Sequence, residues 1–228
     1  MHRNIYRGKN LGTSVTSAQK AAISNGTFKD LFVGDYWTLN GKIYRIADMD
    51  YWYNCGDTAF TKHHLVMLPD ASLYSHVMND TNTTEGGYTG SKMYTEGLDQ
   101  AKTMVREAFG ELLLTHREYL TNAVSNGYPS AGAWFDSNVE LMNEVMVYGS
   151  YIYTPGSTGS STPNRYTINK QQLAIFKLNP KTINNRQYIW LRDIVSSAAF
   201  ASVNGYGLAY FYNASTSFGV RPVFPIGV

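Results

Sequence analysis

Hydrophobic positions along the chain follow two periods, and the changes between them mark the elements. Over residues 13–25, Ala18, Ala21, Ala22 and Ile23 share one helical face; Ser14 or Ser17 can cap its start and Gly26 stops it. The period then drops to two. Tyr36–Leu39 and residues 42–46 alternate around Asn40-Gly41, a dipeptide that supplies the backbone twist of a two-residue hairpin turn. His64–Pro69 is a short apolar run, which predicts a buried strand ended by proline. Residues 81–91, rich in Thr, Gly and Asn, predict an ordered loop or turn. Leu98–Phe109 carries the clearest helical stripe, through Leu98, Ala101, Val105, Ala108 and Phe109, with Gly110 as its stop. Residues 112–114 and 119–120 predict a strand or a bent extended segment. Residues 139–148 fit both periods and stay open between strand and helix. The Gly/Ser/Thr/Pro-rich stretch 154–164 predicts an exposed loop. Residues 188–191 and 220–226 predict strands, the second terminal and with Pro222 at an edge or bulge. Short strands in mixed order with two helices give an α+β class built on antiparallel sheet. Residues 1–11, polar and with Ile5 and Tyr6 among charged neighbours, read as an arm or an edge strand; residues 12–228 read as one domain, without internal repeats.

The segment near the C-terminus breaks the pattern. From Ile194 to Val220 there is no charged residue, and Ala, Ser, Gly, Asn, Tyr and Phe dominate. Six aromatics fall between Phe200 and Phe218, more than one core face would use. Phe200, Val203, Tyr210 and Tyr212 suit a core strand, but adjacent Phe211 and Tyr212 point to opposite faces of an extended chain, so one ring tends outward. Aromatic anchors among small and amide residues are the composition of adaptable binding loops, since rings supply contact area at little rotamer cost. The chain holds 18 Tyr, 10 Phe and 4 Trp, which suits a β-rich, interaction-prone protein. A net charge of +2 with no basic run argues against nucleic acid. No apolar stretch suits a membrane span and no signal peptide is evident at the start, so synthesis in a cytoplasm is expected.

Candidate chemistry is thin. Adjacent His63 and His64 would point to opposite faces of a strand, and with His76 and His116 they match no metal spacing. The run Asn79–Glu85 offers oxygens to calcium but lacks the spacing of an EF-hand loop, and its side chains suit Asx and Ser/Thr turns equally. Asp48, Asp50 and Asp57 surround Tyr51-Trp52-Tyr53, a grouping open to a glycosidase reading or to solvated turns. Cys55 is alone, which excludes an intramolecular disulfide and a Cys-based zinc site and leaves no evident nucleophile–base pair. Arg192 and Arg221 flank the uncharged segment; they read as frame residues paired to Asp193, Glu140 or Glu144, or as direct ligand contacts.

Trp190-Leu191-Arg192, the uncharged segment and Gly219-Val220-Arg221-Pro222-Val223-Phe224 resemble the C-type-lectin-fold variable proteins of diversity-generating retroelements, a family that includes bacteriophage tropism determinants. Gly34-Asp35-Tyr36-Trp37, the run Met78–Thr84 with Gly86-Gly87-Tyr88, and the run His116–Val124 are similar to phage and prophage members of that group. The resemblance covers most of the chain from about Leu11 onward. It implies a C-type-lectin-like fold and non-catalytic binding of a bacterial surface receptor, protein or glycan. It places the protein on a virion tail, with a homotrimer among the assemblies expected, no cofactor and no membrane insertion. Adenine-directed mutagenesis of Asn codons would diversify Ser202, Gly205, Tyr206, Leu208, Tyr210, Phe211, Tyr212, Asn213, Thr216 and Phe218, on a frame that includes Trp190, Arg192 and Arg221, within a variable segment of about residues 190–224. The formylglycine-generating relatives use paired cysteines, which this chain lacks. A formylglycine-type or glycosidase-type enzyme and a cell-surface variable protein are the alternatives.

Overall fold

A computed structural model describes residues 2–155 and 170–228. All of the expected loop 154–164 beyond Pro155 lies outside the described residues. The fold is mixed α+β with mostly antiparallel strands and, among the described residues, four short helices. The first helix, α1 (Ser17–Ser24), is capped by neither expected serine. Thr16 is the cap: its hydroxyl accepts from the Gln19 N–H while the Gln19 carbonyl accepts from the Thr16 N–H, a reciprocal capping box. The same Gln19 oxygen takes the Trp37 indole N–H at 3.3 Å, which docks the helix on the strand that follows.

The Asn40-Gly41 hairpin forms in the expected register, joining β1 (Tyr36–Leu39) to β2 (Lys42–Met49). Next come β3 (His64–Pro69) and β4 (Tyr74–Val77), then a π-helical turn at Met93–Gly97 that leads into α2 (Leu98–Phe109). Leu98, Ala101, Val105 and Phe109 bury the expected stripe of α2. Strands β5 (His116–Ser125) and β6 (Tyr128–Ser137) form a separate hairpin. The stretch that fitted both periods holds both elements: β7 (Glu140–Leu141), then α3 (Glu144–Tyr148), capped by the Asn143 side chain on the Met146 N–H at 2.7 Å. Helix α4 (Ala174–Leu178) has no counterpart among the expected elements. The chain ends through β8 (Ile189–Ile194), β9 (Ala199–Val203), β10 (Ala209–Asn213), β11 (Ser217–Val220) and β12 (Pro222–Gly227).

Two five-stranded sheets result, in the orders β1-β2-β3-β12-β7 and β10-β9-β8-β11-β4. The β8–β11 pair is parallel and the other pairs are antiparallel. Strand β12 is interior, between β3 and β7, and not at an edge as expected from Pro222. Proline is tolerated there because Pro222 opens the strand, the position where a missing N–H costs least. Pro225, opposite Val66, still uses its carbonyl, which accepts the Leu114 N–H.

Strands β3, β8, β9 and β12 are buried on both faces, so they read as unbroken apolar runs rather than alternations. The period of two instead sorts side chains between two cores. Trp190, Phe200, Leu65, Met67 and Phe224 enter one, with α2; Ile189, Leu191, Ala201, Val66, Leu68 and Val223 enter the other, with α4. The N-terminal segment is bound to this body. Arg3 pairs with buried Asp48 and Arg7 with buried Asp35 at 2.6 Å, and Tyr6 and Asn10 bridge to Val33 and Tyr36.

Candidate functional site

The uncharged segment folds as the β9–β10 hairpin, at one end of the second sheet, and as β11, which lies on the other side of β8. Its loop is stapled by one side chain. The Asn204 carbonyl oxygen accepts the N–H groups of Tyr206 and Leu208 at 2.9 and 3.0 Å, an Asx turn that leaves both side chains outside. Gly207 takes the left-handed conformation, φ 84°, that the return requires. Tyr206 is 79% exposed and Leu208 62%, large values for apolar side chains held by an ordered turn.

Along β10 the rings touch in series. Tyr210 lies 5.6 Å from Phe211 and 5.2 Å from Tyr212 between centroids; Tyr212 meets Phe218 at 4.8 Å, and Phe218 meets Trp190 at 4.8 Å. Exposure falls along this series, from exposed Tyr210 and Phe211 through half-buried Tyr212 and Phe218 to buried Trp190. Asn213 is exposed, and Gly205 and Thr216 are half-buried. Ser202 departs from its expected place among the ligand-facing residues. It is fully buried, opposite Trp190 and Tyr210 in register, because β9 is the second strand of its sheet and both its faces are covered.

Two exposed residues join this surface that pattern reasoning did not select, Tyr153 and Tyr188; Tyr151 and Ile152, also exposed, directly precede Tyr153. The Tyr153 ring stands 5.0 Å from Phe211, and Tyr188 stands 4.9 Å from Phe218. The tripeptide Tyr151-Ile152-Tyr153 was a visible signal, three large side chains just before a Gly/Ser/Thr-rich stretch.

The frame works differently from expectation. Trp190 is buried and its indole N–H donates to the His76 carbonyl at 3.0 Å. Arg192 is buried and pairs with Glu118 of β5, not with Asp193, Glu140 or Glu144; it also donates to the Leu141 carbonyl. His116 engages the second Glu118 oxygen at 2.9 Å. Burial alone would raise Glu118, but Arg192 and His116 outweigh it and bring the carboxyl down to about 2. Arg221 pairs with no carboxylate among the described residues. It donates to the carbonyls of Pro69 and Thr182, with Phe176 beneath it, and burial lowers it to about 10.

Burial pushes Asp193 up to about 7, with Glu144 adding to the rise. The sign follows: the folded chain holds this proton more tightly than the unfolded one. The stability contribution is full below the ordinary carboxylate pKa and is lost as pH rises through about 7. Replacing Asp193 with Asn keeps an oxygen for the Glu144 N–H and removes the titration. Relative to the parent, Asp193→Asn is expected to gain at least ~1 kcal/mol between about pH 5 and about pH 8, read by urea unfolding. His64, lowered to about 4 by burial, acts in the opposite direction but equally in both chains, so it cancels from the difference.

The other candidate groups are committed elsewhere. Asn82 receives the Ser215 hydroxyl at 2.7 Å and Thr84 donates to the Ser196 carbonyl at 2.8 Å, so the oxygen-rich loop braces the segments just before β9 and just after β10. The Asp48 carboxylate serves Arg3 and the Ala174 N–H, Asp50 serves His63 and the His64 N–H, and Asp57 serves Arg117. A cleft of about 450 Å³ includes Asp57, Phe60, His116 and Asp136 in its lining; both of its aspartates bind Arg117. His64 is fixed between the Lys62 carbonyl and the Trp52 N–H. Among the described residues no group of three or more His, Cys, Asp or Glu side chains is placed to hold a metal ion. Burial raises the half-buried Cys55 thiol, the direction opposite to activation. No helix among the described residues is long and apolar enough to cross a membrane. No protein-family model, curated protein or solved structure matches the chain.

Proposed function

We propose that this protein is a non-catalytic receptor-binding protein of a bacteriophage or prophage. In this reading it has a C-type-lectin-like fold and is diversified by a retroelement over the β9–β10 hairpin and on into β11. One observation supports the reading: exposure separates nine of the ten candidate variable residues from the frame, the buried Ser202 being the exception. Tyr206, Leu208, Tyr210, Phe211 and Asn213 are exposed, and Gly205, Tyr212, Thr216 and Phe218 are half-buried. Trp190, Arg192 and Arg221 are buried. Aromatic side chains without charge at the centre of a patch are the composition of protein–protein interface cores. The exposed aliphatics Leu208 and Ile152 favour an apolar protein patch as ligand over a sugar, which would draw more on polar side chains.

The test is binding of labelled protein to intact bacterial isolates, before and after protease or glycosidase treatment of the cells. Protease-sensitive decoration is expected. Glycosidase-sensitive, protease-resistant decoration would replace the protein receptor by a glycan, and absence of decoration across the isolates would remove the reading. A reverse transcriptase gene and an adenine-differing near-repeat of the segment beside this gene would establish diversification.

A further inference from the structure

Glu144 is fully buried, yet its charge is met by backbone rather than by an ion pair with a described residue. One carboxylate oxygen accepts the N–H groups of Ile152 and Thr154 at 3.0 and 3.1 Å; the other accepts that of Tyr153 at 3.1 Å. Burying a carboxylate is costly, and convergent N–H groups are one of the few arrangements that offset it. The segment so fixed has little packing reason to be ordered. Thr154 is buried, but the three side chains before it face outward: Tyr151 is 37% exposed, Ile152 49% and Tyr153 40%.

Glu144 is itself placed by the frame. Its own N–H donates to Asp193 of β8, and Asn143 caps the short helix in which it sits. Strand β8 therefore supports the variable hairpin through its pairing with β9 and the 151–153 segment through Asp193 and Glu144. The two meet where Tyr153 packs against Phe211 at 5.0 Å and Tyr210 at 6.4 Å.

We infer that Tyr151, Ile152 and Tyr153 form a second wall of the binding surface, outside the variable segment, and that Glu144 is the residue that positions it. This rests on the binding role proposed above. A constant wall gives every variant of the hairpin the same apolar neighbour, so that part of the contact does not have to be rebuilt with each change. Glu144 acts through the backbone it holds and touches no ligand.

Two measurements test it. Amide hydrogen exchange on the intact protein reads positioning without any ligand. In Glu144→Gln the retained carbonyl can keep two of the three bonds, while the amide nitrogen faces a donor. Exchange at Tyr153 should rise about tenfold, with β9 amides unchanged. Unchanged exchange at residues 152–154 would overturn the positioning role. Titration of labelled protein onto intact cells of an isolate that it decorates then reads the wall. Tyr153→Ala and Ile152→Ser replace exposed side chains and should each weaken binding about tenfold. If Tyr210→Ala abolishes binding while both these variants bind like the parent, the second wall is wrong and the hairpin surface stands. If Tyr210→Ala also binds like the parent, the receptor-binding reading fails with it.

Discussion

Replacing Arg192 by leucine is expected to lower the unfolding free energy by about 3–5 kcal/mol, among the largest effects of any single change in the chain. The guanidinium sits where Glu118 and Glu140 converge, both buried. Burial already raises Glu140 to about 7 although Arg192 pulls it down, and its remaining support is the Tyr88 hydroxyl at 2.8 Å and the Ser137 hydroxyl. Without Arg192 the burial of Glu118 is opposed by His116 alone among its named partners, and the Leu141 carbonyl loses a donor. The loss therefore comes from stranded charge rather than from a missing contact. A second change makes the distinction: Arg192→Leu with Glu118→Leu should recover part of the lost stability, because removing both partners removes the uncompensated charge. Denaturant unfolding of the two variants checks this. An Arg192→Leu protein as stable as the parent would show that the buried cluster does not support the frame.

The second large effect concerns affinity. Truncating Tyr206, Tyr210 or Phe211 to Ala should each cost about 2 kcal/mol or more of receptor binding where the ring is a true anchor, and leave the melting midpoint almost unchanged. Tyr212 and Phe218 should behave differently. Each is half-buried, and Phe218 packs on Trp190, so their truncation should lower stability and affinity together. Trp190→Ala should act on stability alone, with binding lost only as the protein unfolds. A titration and a thermal melt on each variant separate the three classes.

What was legible in the sequence follows from where the physics is local. The Asn40-Gly41 hairpin and the Leu98–Phe109 helix are set by turn chemistry and by a stripe within one element, and both formed as expected. The cap of α1 was missed by one or two residues because Thr16, unlike the serines beside it, has Gln19 three positions on to complete a capping box. Strand β12 could not be placed from Pro222, since its interior position depends on β3 and β7 from distant parts of the chain. The partner of Arg192 was unreadable for the same reason: Glu118 lies 74 residues away, and nearer carboxylates offered plausible pairs. The burial of Ser202 follows from strand order, which no local pattern encodes. The aromatic surface was visible as composition. The contacts that bring Tyr153 and Tyr188 to it appear only when the chain is folded.

The central claim is that the exposed residues of the segment carry binding but not the fold. The most direct test replaces Tyr206, Leu208, Tyr210, Phe211 and Asn213 together by serine. Receptor binding and thermal unfolding are then measured on the same preparation. The account predicts a cooperative melt within a few degrees of the parent, by roughly the small stability change expected of exposed positions, and no detectable binding. Loss of the cooperative melt, or binding that survives all five changes, would contradict it.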